Sequence, residues 1–173
     1  TLLLIKCDTP ANCTYDDIRG LWTFYETQRS FDRTVDCDTA GPTSKETKIQ
    51  LSFPNIATDE YGNKGVWTII YNQGFEVHIN YRKYFAFSDY ATNGSKVTSY
   101  CHRTMPGWSH DILGNNWSCF VGRKQKSMKP KVHVQAESEL LNQGHLSFRN
   151  DVNLIRKINT QQSSWKAGVY KHF

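Results

Sequence analysis

The cysteines and histidines are the side chains of this sequence with the most informative chemistry. Five cysteines occur, at positions 7, 13, 37, 101 and 119, and none of them forms a C-x-x-C pair. Zinc ribbons and thioredoxin-like sites use that spacing, so both classes are disfavoured. Cys101 and His102 are followed by His110 and Cys119, but this spacing matches no common structural zinc pattern. Disulfide formation is the favoured use of these thiols, with one cysteine left over.

The sequence carries no recognisable catalytic constellation. It contains no G-x-S-x-G elbow, phosphate-binding loop, H-E-x-x-H motif or dinucleotide fingerprint. A thiol enzyme needs a free cysteine beside a basic histidine, and each cysteine here is better explained as half of a disulfide or as part of a leader. The chain by itself is therefore predicted to have no enzymatic activity, and we expect no metal site in it.

Three N-x-[ST] sequons, at Asn12, Asn93 and Asn116, indicate a route through the secretory pathway. Residues 1–7 read TLLLIKC, which resembles the end of a secretory leader, although a first β-strand is the alternative interpretation. An extracellular or endolysosomal compartment allows four cysteines to form two disulfides. The fifth, Cys7, would leave with the leader.

Composition and charge exclude several classes of protein. The chain has 173 residues, 38% hydrophobic and 13% aromatic, which supplies a core and argues against disorder. Its net charge is +5, but residues 1–126 hold 14 basic and 13 acidic side chains, so a nucleic-acid binder is disfavoured. No apolar run approaches the roughly 18–20 residues of a membrane-spanning helix.

Residues 20–126 have the pattern of short β-strands separated by turns. Apolar and polar residues alternate over 48–53 and over 75–80, the period of a half-buried strand. Aromatic and β-branched runs cover 66–71 and 84–90, and Asn93-Gly94 signals a hairpin. This spacing predicts a β-sandwich or a closed antiparallel barrel.

The pattern changes after residue 126. Residues 127–147 are polar and predict a linker or a loosely held segment. Asn150 or Asp151 could then cap an amphipathic helix that extends to Trp165. A helix this short must pack against another element to be stable.

Several longer strings occur in the order and spacing of one known family. They are DTPANCTY (8–15), WTIIYNQGFE (67–76), YFAF (84–87), GSKVT (94–98), MPGWSHD (105–111) and NWSCF (116–120). Through these strings the chain resembles the cathepsin C family, also called dipeptidyl peptidase I. The resemblance covers nearly the whole chain and is weaker over 21–64 and 127–147.

The resemblance implies a division of the chain. Residues 1–7 would end the signal peptide, and residues 8–126 would form the exclusion domain, a closed antiparallel β-barrel of about eight strands. Residues 127–173 would begin the propeptide with a polar linker and a short helical segment. A papain-like catalytic domain of the same precursor would follow Phe173, so the family's catalytic residues have no counterparts here.

The resemblance also implies roles for particular residues. The carboxylate of Asp8 would bind the ammonium of a substrate with a free N-terminus, and the hairpin Asp89–Tyr100 would form a wall across the cleft. A charge-assisted contact of this kind is worth roughly 1.5–3 kcal/mol. The implied disulfides are Cys13–Cys101 and Cys37–Cys119. Asn12 is the family-like glycosylation site, whereas a glycan on Asn93 would conflict with a hairpin tip packed in the cleft.

Expected partners follow from the same resemblance. They are the papain-like catalytic domain, peptide or protein substrates with free N-termini and, since the family forms tetramers, a homo-oligomer. The compartment would be lysosomal or secreted. No cofactor is expected in this chain, although chloride is expected for the full family enzyme.

A free-standing secreted barrel that inhibits proteases or binds a small ligand is the alternative. An RNA-binding β-domain is disfavoured by the predicted disulfides, the sequons and the neutral barrel.

Overall fold

A computed structural model describes residues 9–39, 41–126 and 129–135. The predicted leader, Asp8 and the predicted helix before Trp165 lie outside these residues. The described part contains one short helix and is otherwise built from β-strands. The elements are α1 (Tyr15–Ile18), β1 (Gly20–Thr27), β2 (Thr43–Ser52), β3 (Ile56–Asp59), β4 (Lys64–Ile70), β5 (Gly74–Ile79), β6 (Arg82–Asn93), β7 (Lys96–Thr104), β8 (Gly107–Asp111), β9 (Ser118–Lys124) and β10 (Lys131–Val134).

Eight of the strands close into an antiparallel barrel, which confirms the predicted fold. Neighbours pair in the order β1, β2, β3, β4, β5, β6, β8 and β9, and β9 pairs again with β1. On β1, Trp22 lies opposite Ile49 of β2 on one side and opposite Lys124 of β9 on the other. Closure gives every barrel strand two neighbours, so the backbone groups of the barrel are used in its own ladders.

The barrel interior is filled by side chains from alternating strand positions. On β5, the predicted inward residues Phe75, Val77 and Ile79 are buried, and Glu76 and His78 between them are not. Burying one such apolar side chain is worth about 1.5–3 kcal/mol. Aromatic rings with centroids 4.9 to 6.5 Å apart form the centre of this core: Trp22, Phe24, Phe75, Tyr84 and Phe120.

Strand β6 is longer than the barrel and continues beyond it. It pairs with β8 over Arg82–Phe85 and with β7 from Ser88 onward. The register with β7 shifts after Ser88, and the last five residues, 89–93, pair with the first half of β7. The opposite edge of β7 pairs with β10, with Lys131 opposite Ser99. We call this three-stranded extension, made of residues 89–93, 96–100 and β10, the arm.

Two details of the arm differ from the sequence-based expectation. The hairpin loop consists of Gly94 and Ser95, one residue later than predicted, because Asn93 still pairs with Lys96. Gly94 has a φ of +59°, the conformation that the first loop position of a type II′ turn requires. Strand β10 lies inside the segment predicted as a polar linker. Its four residues are too few to indicate a strand without β7 as a partner.

Candidate functional site

The N-terminal segment, residues 9–14, is fixed to the rest of the structure although it belongs to no strand. Three consecutive backbone N–H groups in it donate to three different parts of the chain. The bonds are Asn12 N–H to Ser99 Oγ (3.0 Å), Cys13 N–H to the Asn72 carbonyl (2.7 Å) and Thr14 N–H to Asp17 Oδ2 (2.7 Å). We call these three bonds the N-terminal clamp. Since Asp8 immediately precedes this segment, the clamp begins four residues after the predicted anchor.

A disulfide reinforces the clamp. Cys13 is bonded to Cys101 of β7, 88 residues away in sequence. The second disulfide joins Cys37, in the β1–β2 connection, to Cys119 of β9. Both pairs are those that the resemblance implies. They act on different regions, because the first attaches the N-terminal segment to β7 and the second attaches a long connection to the barrel wall.

Asp17 links the clamp to the arm. Its Oδ2 accepts hydrogen bonds from Thr14 and from Lys131 Nζ of β10, the latter at 2.6 Å. Burial raises the pKa of Asp17, but the hydrogen bonds from Lys131 and Thr14 outweigh it, so the pKa lies below its ordinary value of 3.8. A lowered folded pKa contributes stability that is present above about pH 3.8 and is lost as the pH falls through the folded value. The contact is therefore retained at pH 5.

Two of the three predicted glycosylation sites present accessible asparagines. Asn12 is exposed beside the clamp, and Asn93 is exposed at the end of β6. Their positions differ with respect to the arm, since Asn12 lies near its base and Asn93 lies at its tip. Occupancy of either site stays a prediction.

Asn116 is placed differently. It has a φ of +52°, and its side-chain amide donates to Asp111 Oδ2 at 2.8 Å. The hydroxyl of Ser118, the third residue of the same sequon, is fully buried in the barrel. In the folded protein this asparagine is therefore used to hold the β8–β9 turn, which disfavours it as a glycan carrier relative to Asn12 and Asn93.

A buried charged cluster at one end of the barrel was not predicted from the sequence. Glu26, whose side chain is 1% exposed, accepts bonds from Arg82 at 2.7 Å and from Ser118 at 2.6 Å. Arg29 and Tyr84 also donate to this carboxylate, at 3.0 and 3.3 Å. The signal in the sequence was the period of β1, which places Glu26 on the same inward face as Trp22 and Phe24.

The neighbours of Glu26 keep it ionised. Burial raises its pKa, but hydrogen bonds from Arg29 and Ser118 and the charge of Arg82 outweigh this, so the pKa lies below its ordinary value of 4.5. Burial also raises the pKa of Tyr84 to about 12, so this phenol stays protonated and donates. The Glu26 contribution to stability is fully present above about pH 4.5 and is lost as the pH falls through the lower folded pKa.

The described residues can hold other groups in position and form a shaped surface. All four cysteines among them are in disulfides. In the described ranges no group of three or more histidine, cysteine, aspartate or glutamate side chains could hold a metal ion. No helix among the described residues is long and apolar enough to span a bilayer. What they present is a rigid barrel, an arm, and an N-terminal segment held against that arm.

Comparison with known proteins identifies the family. Residues 8–124 match the model of the cathepsin C exclusion domain. A cathepsin C from Schistosoma mansoni is 36% identical over 175 aligned positions, which cover 98% of this chain and 37% of that relative. The chain thus spans little more than a third of the length of this relative. The matched range includes the barrel, the N-terminal clamp and the first two strands of the arm. The chain therefore belongs to the cathepsin C exclusion-domain family.

Proposed function

We propose that this chain is the exclusion domain of a lysosomal or secreted cysteine exopeptidase that removes dipeptides from free N-termini, followed by the start of its propeptide. The observation that carries the proposal is the family match over residues 8–124. The coarser part of the proposal, association with a papain-like catalytic domain of the same precursor, follows from that family. The exopeptidase mechanism is the finer part.

In this mechanism the chain closes one end of an open substrate cleft, so that only two substrate residues fit at that end. The arm blocks the cleft beyond the second substrate residue, so longer chains do not fit. The carboxylate of Asp8 binds the substrate ammonium, and this charge-assisted contact discriminates against peptides whose amine is blocked. The cross-links between the N-terminal segment and β7 support the mechanism, because wall and anchor must keep a constant separation.

Further features of the proposal concern the environment of the enzyme. A glycan on exposed Asn12 is proposed. Asn93 is exposed as well, but a glycan there would conflict with the arm as a wall packed in the cleft, so none is proposed on it. A homo-oligomer and a chloride requirement of the complete enzyme are proposed from the family, with the chloride ligands mainly outside this chain and none assigned in it.

The test is substitution of Asp8 in the full precursor, or in this chain co-expressed with the papain-like domain of a cathepsin C. Asp8→Ala is expected to lower kcat/KM for release of a dipeptide from a free N-terminus by about ten- to hundredfold. The same peptide with an acetylated N-terminus should be cleaved equally poorly by both proteins. Asp16→Ala is the matched control, since Asp16 is exposed and lies in α1.

An unchanged kcat/KM in Asp8→Ala would show that the anchor assignment is wrong. The alternative, a free-standing inhibitor, predicts that the purified chain alone blocks a papain-like protease. A small-ligand barrel is opposed by the aromatic side chains that fill the interior.

A further inference from the structure

Ser99 is a polar side chain between two apolar side chains, Val97 and Cys101, on the buried face of β7. On β7 the inward positions alternate as Val97, Ser99 and Cys101, and all three are buried, with Ser99 fully inaccessible. Its hydroxyl oxygen accepts the backbone N–H of Asn12 at 3.0 Å, across 87 residues of sequence. A buried hydroxyl at such a position requires a partner, and the N-terminal segment supplies it.

We propose that Ser99 is a positioning residue that sets the distance between the substrate-ammonium anchor and the wall formed by the arm. This inference rests on the proposed function of Asp8 and of the arm. Ser99 touches neither substrate nor reacting atoms in this scheme. It acts through the main chain of the N-terminal segment.

The place of the bond in the chain distinguishes it from the other two bonds of the clamp. The Thr14 N–H donates to Asp17, three residues later, so that bond is local. The Cys13 N–H donates to Asn72, in the turn before β5, and so fixes the segment to the barrel. The Asn12 N–H lies on the Asp8 side of the disulfide and donates to the arm itself. It is therefore the clamp bond that ties the chain leading to the anchor directly to the wall.

The chemistry of the bond favours a positional role. Loss of the Ser99 hydroxyl leaves the Asn12 N–H without its acceptor, so the segment moves to find another acceptor or water. The Cys13–Cys101 disulfide still holds the segment to β7, and both cysteines remain in the barrel's core cluster. The expected result is a displaced anchor in a folded protein.

The experiment compares Ser99→Ala, Ser99→Thr and Thr98→Ala in the precursor with its catalytic domain. Ser99→Ala is expected to raise KM about three- to tenfold for a peptide with a free N-terminus, with little change in kcat. The matching peptide that lacks the α-amine should show no change in KM. Ser99→Thr retains the hydroxyl and should restore most of the affinity. Thr98→Ala removes a hydroxyl from the opposite, half-buried face of the same strand and should have no effect.

Amide hydrogen exchange provides a direct readout. The Asn12 amide should exchange faster in Ser99→Ala than in the wild-type protein, and it should be unchanged in Thr98→Ala. An unchanged Asn12 amide, or equal losses for the amine and desamino peptides, would overturn the positioning role while Asp8→Ala still shows its defect. Absence of the Asp8→Ala defect would overturn the proposed function itself, and this inference with it.

Discussion

The barrel and the arm of this protein are stabilised in different ways. Each barrel strand pairs on both sides, and the interior is filled by an aromatic core. The arm has only three strands, and on β7 its buried row within 96–100 consists of Val97 and Ser99. A sheet this small gains little from its own core. Its position depends on cross-links from distant parts of the chain, chiefly the Cys13–Cys101 disulfide and the Asn12–Ser99 bond.

The polar groups of the two regions show the same contrast. In the barrel, the Glu26–Arg82 pair is almost completely buried. The Ser118 hydroxyl also joins the two side chains, because it accepts a hydrogen bond from Arg82 and donates one to Glu26. On the arm, the Lys131–Asp17 pair is partly exposed, with side-chain accessibilities of 40% and 14%. The difference indicates that the barrel provides stability, whereas the arm depends on its contacts with the N-terminal segment and α1.

The largest effect is expected from breaking the buried pair in the barrel. Glu26→Ala leaves Arg82 charged and buried without its carboxylate, which should lower the free energy of unfolding by about 3–5 kcal/mol. Urea unfolding followed by tryptophan fluorescence measures this loss. Glu46→Ala is the control, since Glu46 lies exposed on the neighbouring strand β2. A loss below about 1 kcal/mol, the range of surface pairs, would show that the barrel does not depend on this cluster.

A smaller, localised effect is expected when the disulfide next to the arm is removed. Replacing both Cys13 and Cys101 with serine removes a link across 88 residues, which should cost about 2–4 kcal/mol. Hydrogen exchange should accelerate for amides of residues 96–100 and much less for β1 to β5. Replacing Cys37 and Cys119 with serine is the matched control, because that bond spans 82 residues but attaches to the barrel. If replacing either cysteine pair accelerated hydrogen exchange in the arm equally, the proposed division between the arm and the barrel would be contradicted.

The smallest effect is expected at the edge of the arm. Lys131→Ala removes a partly exposed ion pair worth about 0.5–1 kcal/mol, so amides of β10 should exchange about two- to fivefold faster. The pKa of Asp17 should rise, because Lys131 is the largest of the contacts that lower it. An NMR titration of the Asp17 carboxyl group measures this shift. Lys129→Ala, at an exposed neighbouring position, should leave both values unchanged. A stationary Asp17 pKa in Lys131→Ala would show that β10 is not coupled to the clamp.

Local patterns in the sequence predicted much of the barrel. The alternation of Phe75, Val77 and Ile79 reports which face of β5 is buried, because side-chain direction in a strand depends only on position. The hairpin loop was displaced by one residue, since Asn93 and Gly94 both tolerate turn conformations and only pairing across the strands selects between them. Glu26 was missed because an isolated acidic residue in a strand gives no indication of its partners, which lie up to 92 residues away.

The sequence by itself determined the β-rich character, the burial pattern of the strands and, through its resemblance to a family, the cysteine pairs. It also limited the chemistry, because it contains no recognisable catalytic constellation. The tertiary structure alone decided that Ser99 meets Asn12, that Lys131 meets Asp17 and that residues 131–134 form a strand. Each of these contacts joins short segments whose local pattern is weak. Their geometry is set by the ladders and the disulfide that bring distant residues together.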